Sequence, residues 1–174
     1  MSVILETQRL AVRAWMLDDA ESLFEICRDS DVMLHIGTRE PHKSVDDALR
    51  FINWVTSYQQ EHGFSRWAVL EKATGKIIGS CGFARLVETG EIELGYLFAR
   101  EVWGQGFATE AAGAVLRYGF ENLKFPEVIA LTDPEHRASQ RVLEKIGFTC
   151  RGIERYDGDD DRVYVAVNRQ ASKR

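Results

Sequence analysis

The apolar positions of this chain change period several times, and each change predicts a different element. Over residues 9–15, Leu10, Val12 and Ala14 alternate with charged or large residues, the two-residue period of a half-buried strand. Leu23, Phe24 and Cys27 then recur at helical spacing behind Asp18 and Asp19, acids suited to the positive end of a helix. Ser44-Val-Asp-Asp47 resembles a capping box with Asp47 in place of the usual Glu, and Ala48, Phe51, Ile52, Val55 and Tyr58 carry a second helical stripe to Gly63. Strand-like runs at 67–70, 76–83 and 91–98 are separated by Ala73-Thr74-Gly75 and Glu88-Thr89-Gly90. Both separators are short enough for hairpin turns, so the three runs predict an antiparallel meander.

Ala108, Ala111, Ala112, Val115, Leu116, Gly119, Phe120 and Leu123 predict a packed helix over 107–123 that ends before Pro126. Residues 128–131 are a short apolar run suited to a buried strand. Ala138, Val142, Leu143 and Ile146 predict a further helix closed by Gly147, followed by strands at 149–156 and 162–167 around a Gly-containing hairpin. No repeat or low-complexity segment interrupts this order. With 45% hydrophobic residues the chain can bury a core as one domain over 1–174, its core at 5–168 and a polar tail at 169–174.

Composition narrows the function classes. Cys27, Cys81 and Cys150 lie far apart and are odd in number, which speaks against a disulfide framework or a zinc ribbon and for small reduced core residues. His35, His42, His62 and His136 lack metal-ligand spacing, so no metal is expected. A net charge of −5 disfavours nucleic acid, whose backbone needs a basic patch. No long apolar run predicts a membrane span or a secretion signal, so a cytoplasmic protein is expected. Trp15 and Trp54 fit either a dimer contact or buried packing, the second being the expectation, and the state stays open between monomer and homodimer.

The chemistry is concentrated in Ile92-Glu-Leu-Gly-Tyr-Leu-Phe98 and the following Trp103-Gly-Gln-Gly-Phe-Ala-Thr109, a strand, a glycine-bearing loop and a helix start. Free N–H groups and the dipole at such a helix start hold an anionic diphosphate, and glycines let it approach the backbone. Gly104 and Gly106 also fit a plain tight turn. A Rossmann-type dinucleotide site fits less well. Thr109 stands where Gly or Ala is needed, the loop follows antiparallel strands, and Asp133 lies farther on than the usual ~20 residues.

Four stretches make the chain resemble GNAT N-acetyltransferases, in particular their RimJ/RimL-type branch, whose members acetylate ribosomal-protein N-termini. They are Leu5-Glu-Thr-Gln-Arg-Leu-Ala-Val-Arg13, Ile92-Glu-Leu-Gly-Tyr96, Trp103-Gly-Gln-Gly-Phe-Ala-Thr-Glu-Ala111 and His136-Arg-Ala-Ser-Gln-Arg-Val-Leu-Glu-Lys-Ile-Gly-Phe148. The resemblance implies an α+β (α/β) fold, a mixed, mostly antiparallel sheet of about seven strands flanked by about four helices. It implies acetyl-CoA as co-substrate and direct attack by a primary amine, a protein N-terminus or a small molecule, through a tetrahedral oxyanion and without a covalent enzyme intermediate.

In the family the pantetheine arm lies beside the central strand where the sheet splays at a bulge. Gly95 is placed for that bulge, and the backbone near Leu97 and Phe98 for pairing with the arm. The resemblance assigns the diphosphate to Trp103, Gly104, Gln105, Gly106, Phe107, Ala108 and Thr109, chiefly through backbone N–H groups, and the cofactor arm to His136 and Ser139. Trp103 replaces the superfamily's Gln or Arg, as is common in this branch, and His136 replaces its usual Asn. Glu93 is the candidate base, and equally fits an outward strand residue paired with a cation. Leu143 occupies the position of the Tyr that protonates the thiolate in many members, leaving Ser139 or water for that task. The first two helices, residues 33–43 and the hairpin Tyr156-Asp-Gly-Asp-Asp-Asp161 are expected to frame the acceptor cleft, the hairpin reading foremost as a solvated turn without the pattern of a calcium loop. A nucleotide-binding domain and a non-catalytic acyl-CoA sensor of the same fold are the alternatives.

Overall fold

The computed structural model describes residues 3–156 and 158–169. The chain begins with strands β1 (Val3–Glu6) and β2 (Leu10–Arg13), then helices α1 (Ala20–Cys27), α2 (Ser30–Met33) and α3 (Val45–His62). The meander follows as β3 (Arg66–Glu71), β4 (Ile77–Arg85) and β5 (Ile92–Phe98), then helix α4 (Phe107–Glu121), strand β6 (Glu127–Thr132) and helix α5 (Arg137–Lys145). Strands β7 (Thr149–Tyr156) and β8 (Asp159–Val167) close the fold. Of the polar tail only Arg169 is described, and Asp157 of the hairpin lies outside the described residues.

The strands form one sheet in the order β1-β2-β3-β4-β5-β6-β8-β7, antiparallel throughout except between β5 and β6. Phe107, Ala111, Ala112 and Val115 of α4 and Leu143 of α5 pack with Leu10, Val12, Trp67, Phe83 and Leu94 on one face. On the other, Leu23 and Cys27 of α1 and Ala48, Ile52 and Val55 of α3 pack with Trp15 and Ala68. Gly119 lets α4 come down on the sheet, since a Cβ there would lie 2.6 Å from the Phe83 ring. The start of α3 is held as its sequence implies, the Asp47 carboxylate accepting from the N–H groups of Ser44 at 3.0 Å and Lys43 at 2.7 Å, and Gly63 ends it at φ 79°.

Among the described residues, eight strands and five α-helices exceed the expected numbers by an edge strand and a single turn. β1 is four residues with no buried position, and α2 is one turn on which the Asp29 carboxylate accepts from the Asp31 N–H at 2.9 Å. Neither is long enough to show a period. Two expectations about packing are corrected. Trp15 is buried, but Trp54 is 46% exposed, and Cys27 and Cys81 are buried while Cys150 is exposed on the outermost strand.

Asp19 is the helix-end acid its position suggests and has a second task. Its carboxylate takes the Arg13 guanidinium in a fork, with Nη1 at 2.6 Å and Nη2 at 2.8 Å, and also accepts the Met16 N–H at 2.8 Å. Both side chains are buried, so removing one strands the other's charge away from water. Arg13→Ala is expected to lower stability by about 3 to 5 kcal/mol, read as a lower urea midpoint at unchanged slope.

Candidate active site

β5 is paired with β4 along its whole length, but shares a single residue pair, Glu93 with Ile129, with β6. Past that pair the sheet opens. The Ala99 N–H donates to Ile78 O at 2.9 Å, and strand alternation therefore turns the backbone groups of Leu97 to β4 and those of Tyr96 and Phe98 to the gap. The Phe98 carbonyl accepts the Trp103 indole N–H at 2.8 Å, which ties the glycine loop to the strand end. Tyr96 thus takes the gap-facing place expected for Leu97.

No bulge occurs at Gly95. Pairing runs unbroken from Gly79 with Phe98 to Arg85 with Ile92, and Gly95 lies opposite Gly82. Gly82 makes room for the neighbouring backbone, a Cβ there lying 2.2 Å from the Ser65 carbonyl oxygen, and Gly95 makes room for the Arg66 side chain, a Cβ there lying 2.9 Å from its guanidinium carbon. The side chain so accommodated reaches Glu93, with 2.7 Å between Nη2 and Oε2.

A cavity of about 650 Å³ lies at the opening. Glu93, Gly95 and Tyr96 line it from β5, and His136, Ser139 and Leu143 from the α5 side. Glu93 both lines the cavity and is paired with a cation. The Tyr96 hydroxyl lies 2.9 Å from Ser139 Oγ. Burial pushes the Tyr96 phenol well above its usual range, against the opposing Ser139 hydrogen bond, and keeps it protonated.

The outer rim is polar. His136 stacks on His35 with ring centroids 4.1 Å apart, and His35 Nδ1 lies 3.2 Å from Asp133, which Arg39 also approaches at 3.4 Å. Burial, and then the charge of His35, hold the His136 imidazole below its usual range, while Asp133 opposes them. Asp159 and Asp161 line the cavity as well, so the hairpin is more than a solvated turn. Burial raises the Asp161 carboxyl, as do the charges of Asp159, Glu93 and Asp133, with Arg39 opposing.

The glycine loop lies beyond the cavity, past the end of β5. Gly104 has φ 74° and Gly106 φ 82°, the left-handed region, and Gly106 precedes α4 with no side chain capping the helix. The first-turn N–H groups therefore face an open loop, a fit for a diphosphate. Phe107 is buried in the core, leaving only its backbone for such a contact. Trp103, Gly104 and Gln105 are exposed, Ala108 and Thr109 half-buried, and the Gln105 amide turns back to the Glu101 carbonyl at 3.0 Å.

Local sequence could not reveal Tyr96 with Ser139, Arg66 with Glu93, or His35 with His136, because each pair joins distant segments. Among the described residues no His, Cys, Asp and Glu group suits a metal ion, and no helix is long and apolar enough to cross a membrane.

A sheet split beside its central strand, with a glycine loop leading into the next helix, is the arrangement that the resemblance implies. Residues 9–149 match the acetyltransferase (GNAT) domain family. The uncharacterised N-acetyltransferase p20 of Bacillus licheniformis is 32% identical over 152 residues, 87% of this chain and 85% of that protein. A GNAT-family acetyltransferase from Bacillus anthracis shares the fold at TM-score 0.80 and 28% identity, over 94% of this chain and 98% of its own. RimL, a ribosomal L7/L12 α-N-protein acetyltransferase solved in complex with coenzyme A, shares the fold at TM-score 0.81 and 15% identity, over 95% and 98% of the two chains. The chain belongs to the GNAT family and is an acetyltransferase.

The His136 shift sets a pH dependence. Unfolded imidazole titrates near 6.5 and the folded one lower, so the unfolded chain binds more protons between the two and stability falls as pH drops through that window. In His136→Phe, which keeps a ring against His35, urea midpoints from pH 7 to 5 are expected to decline less than in the parent.

Proposed function

We propose that the chain transfers the acetyl group of acetyl-CoA to a primary amine, on a protein N-terminus or a small molecule, by direct attack and without a covalent enzyme intermediate. The observation that carries this reading is a carboxylate, Glu93, and a hydroxyl, Ser139, lining one cavity where β5 leaves β6. Acetyl-CoA supplies the activated acyl group and a thiol leaving group. The gap-facing backbone of Tyr96 and Phe98 suits its amide-bearing arm, and the loop from Trp103 to Thr109 suits its diphosphate.

Glu93 accepts the proton of the substrate ammonium, directly or through water, and Arg66 holds the carboxylate in place. Ser139 offers its hydroxyl to the departing sulfur. The Tyr96 phenol, kept protonated, has the Ser139 carbonyl at 3.3 Å and Ser139 Oγ at 2.9 Å as acceptors, and when it donates to Oγ the serine hydrogen is free to turn into the cavity. This pair stands in for the acid lost at Leu143. Asp159 and Asp161 line the same cavity as Phe51 and Trp54, a set that suits a cationic group on an apolar stem. The resemblance to the RimJ/RimL branch favours a peptide N-terminus among such amines.

Leu143 also favours a second reading, a non-catalytic acyl-CoA-binding domain. Thiol release from acetyl-CoA across a panel of peptides and small amines separates the two. Turnover is expected, with Glu93→Gln lowering kcat roughly 10²- to 10⁴-fold at nearly unchanged acetyl-CoA affinity. Binding of acetyl-CoA without turnover on any amine would leave the sensor.

A further inference from the structure

The turn between β1 and β2 grips the glycine loop from outside. The Thr7 hydroxyl donates to Glu110 Oε1 at 2.6 Å, and the Arg9 backbone N–H donates to the same oxygen at 3.0 Å. Arg9 Nε donates to Glu110 Oε2 at 2.6 Å, and Arg9 Nη1 to the Gln105 carbonyl at 3.0 Å. The guanidinium also lies 4.2 Å from the centroid of the Phe107 ring, and a Cβ on Gly106 would be 3.5 Å from its Nη2. One side chain therefore touches the loop at Gln105 and Phe107, on either side of left-handed Gly106, and the first turn of α4 at Glu110.

The turn that presents Arg9 is itself fixed. The Leu10 N–H donates to Thr7 Oγ1 at 2.9 Å, and Lys72 Nζ donates to the Thr7 carbonyl at 2.8 Å. The arrangement answers an electrostatic problem. Glu110 lies in the first turn of α4, where its charge would repel an anion bound at the helix start. Burial pushes its carboxyl up, but the hydrogen bonds from Thr7 and Arg9 outweigh that and hold it below its usual range. Both oxygens are occupied by donors, and Arg9 offsets the charge.

We infer that Arg9 is a positioning residue for the donor site: it holds residues 105–107 in their anion-receiving shape and neutralises Glu110, so that coenzyme A affinity depends on the β1–β2 turn. This rests on the donor-site reading of the loop. It also gives a physical reason for the Thr7-Gln-Arg9 stretch and for Glu110, which no catalytic role explains.

The test is calorimetric titration of coenzyme A into the full chain and its Arg9→Ala, Arg9→Lys, Glu110→Gln and Arg9→Ala/Glu110→Gln variants, with thermal unfolding recorded for each. Arg9→Ala is expected to weaken binding on the order of tenfold, the scale of one lost charge-assisted contact. Arg9→Lys, which keeps the charge without the fork, should weaken it less. The double variant should bind more tightly than Arg9→Ala, because the unpaired carboxylate is gone, and that difference should shrink with added salt. A general loss of fold does not produce such a recovery. Parental affinity in Arg9→Ala, or a double variant no tighter than Arg9→Ala, would overturn the inference. Failure of the parent chain to bind coenzyme A would instead overturn the donor-site reading.

Discussion

The single residue pair between β5 and β6 is the constraint on which the rest of the site depends. A sheet that ran continuously from β5 to β6 would satisfy the backbone of Tyr96 and Phe98 and leave no cavity. Stopping after Glu93 and Ile129 leaves polar backbone facing a gap, and buried backbone groups need partners. A ligand with its own amides is the natural partner, and pairing it by strand addition reuses the chemistry of the sheet. The same opening puts Glu93 and Ser139 on one cavity without either leaving regular structure.

Charge in the molecule is placed to serve that opening. Three of the carboxylates near it have a cation within reach, Glu93 with Arg66, Asp133 with Arg39, and Glu110 with Arg9. Asp161 is half-buried and lies chiefly among other acids, so that end of the cavity favours positive charge more than the glycine loop does. The loop, beyond the cavity, offers backbone dipoles and a glutamate whose charge is offset. Under the proposed function an anionic carrier would enter from the loop side and a cationic acceptor from the acidic side.

The extent to which this was legible in sequence follows from the range of each interaction. The helices α3 and α4 and the meander β3 to β5 carry their signals within a dozen residues, as stripes, caps and turn glycines, and they appear where those signals put them. The glycine loop is equally local. β1 and α2 are too short for a period, and the exposure of Trp54 or Cys150 depends on what lies opposite them in space. Gly95 shows why a local rule can mislead: glycine in a strand marks either a bulge or a close approach, and only the position of Arg66 decides between them. Tyr96 stood inside a recognised motif, but its partner Ser139 is 43 residues away, and no spacing rule connects them.

The most direct test of the central claim is amide hydrogen exchange with and without coenzyme A, resolved by residue. If the gap beside β5 and the start of α4 form one donor groove, Tyr96, Phe98, Phe107, Ala108 and Thr109 gain protection together when coenzyme A is added. Protection confined to other segments, or at only one of these two places, would contradict the account.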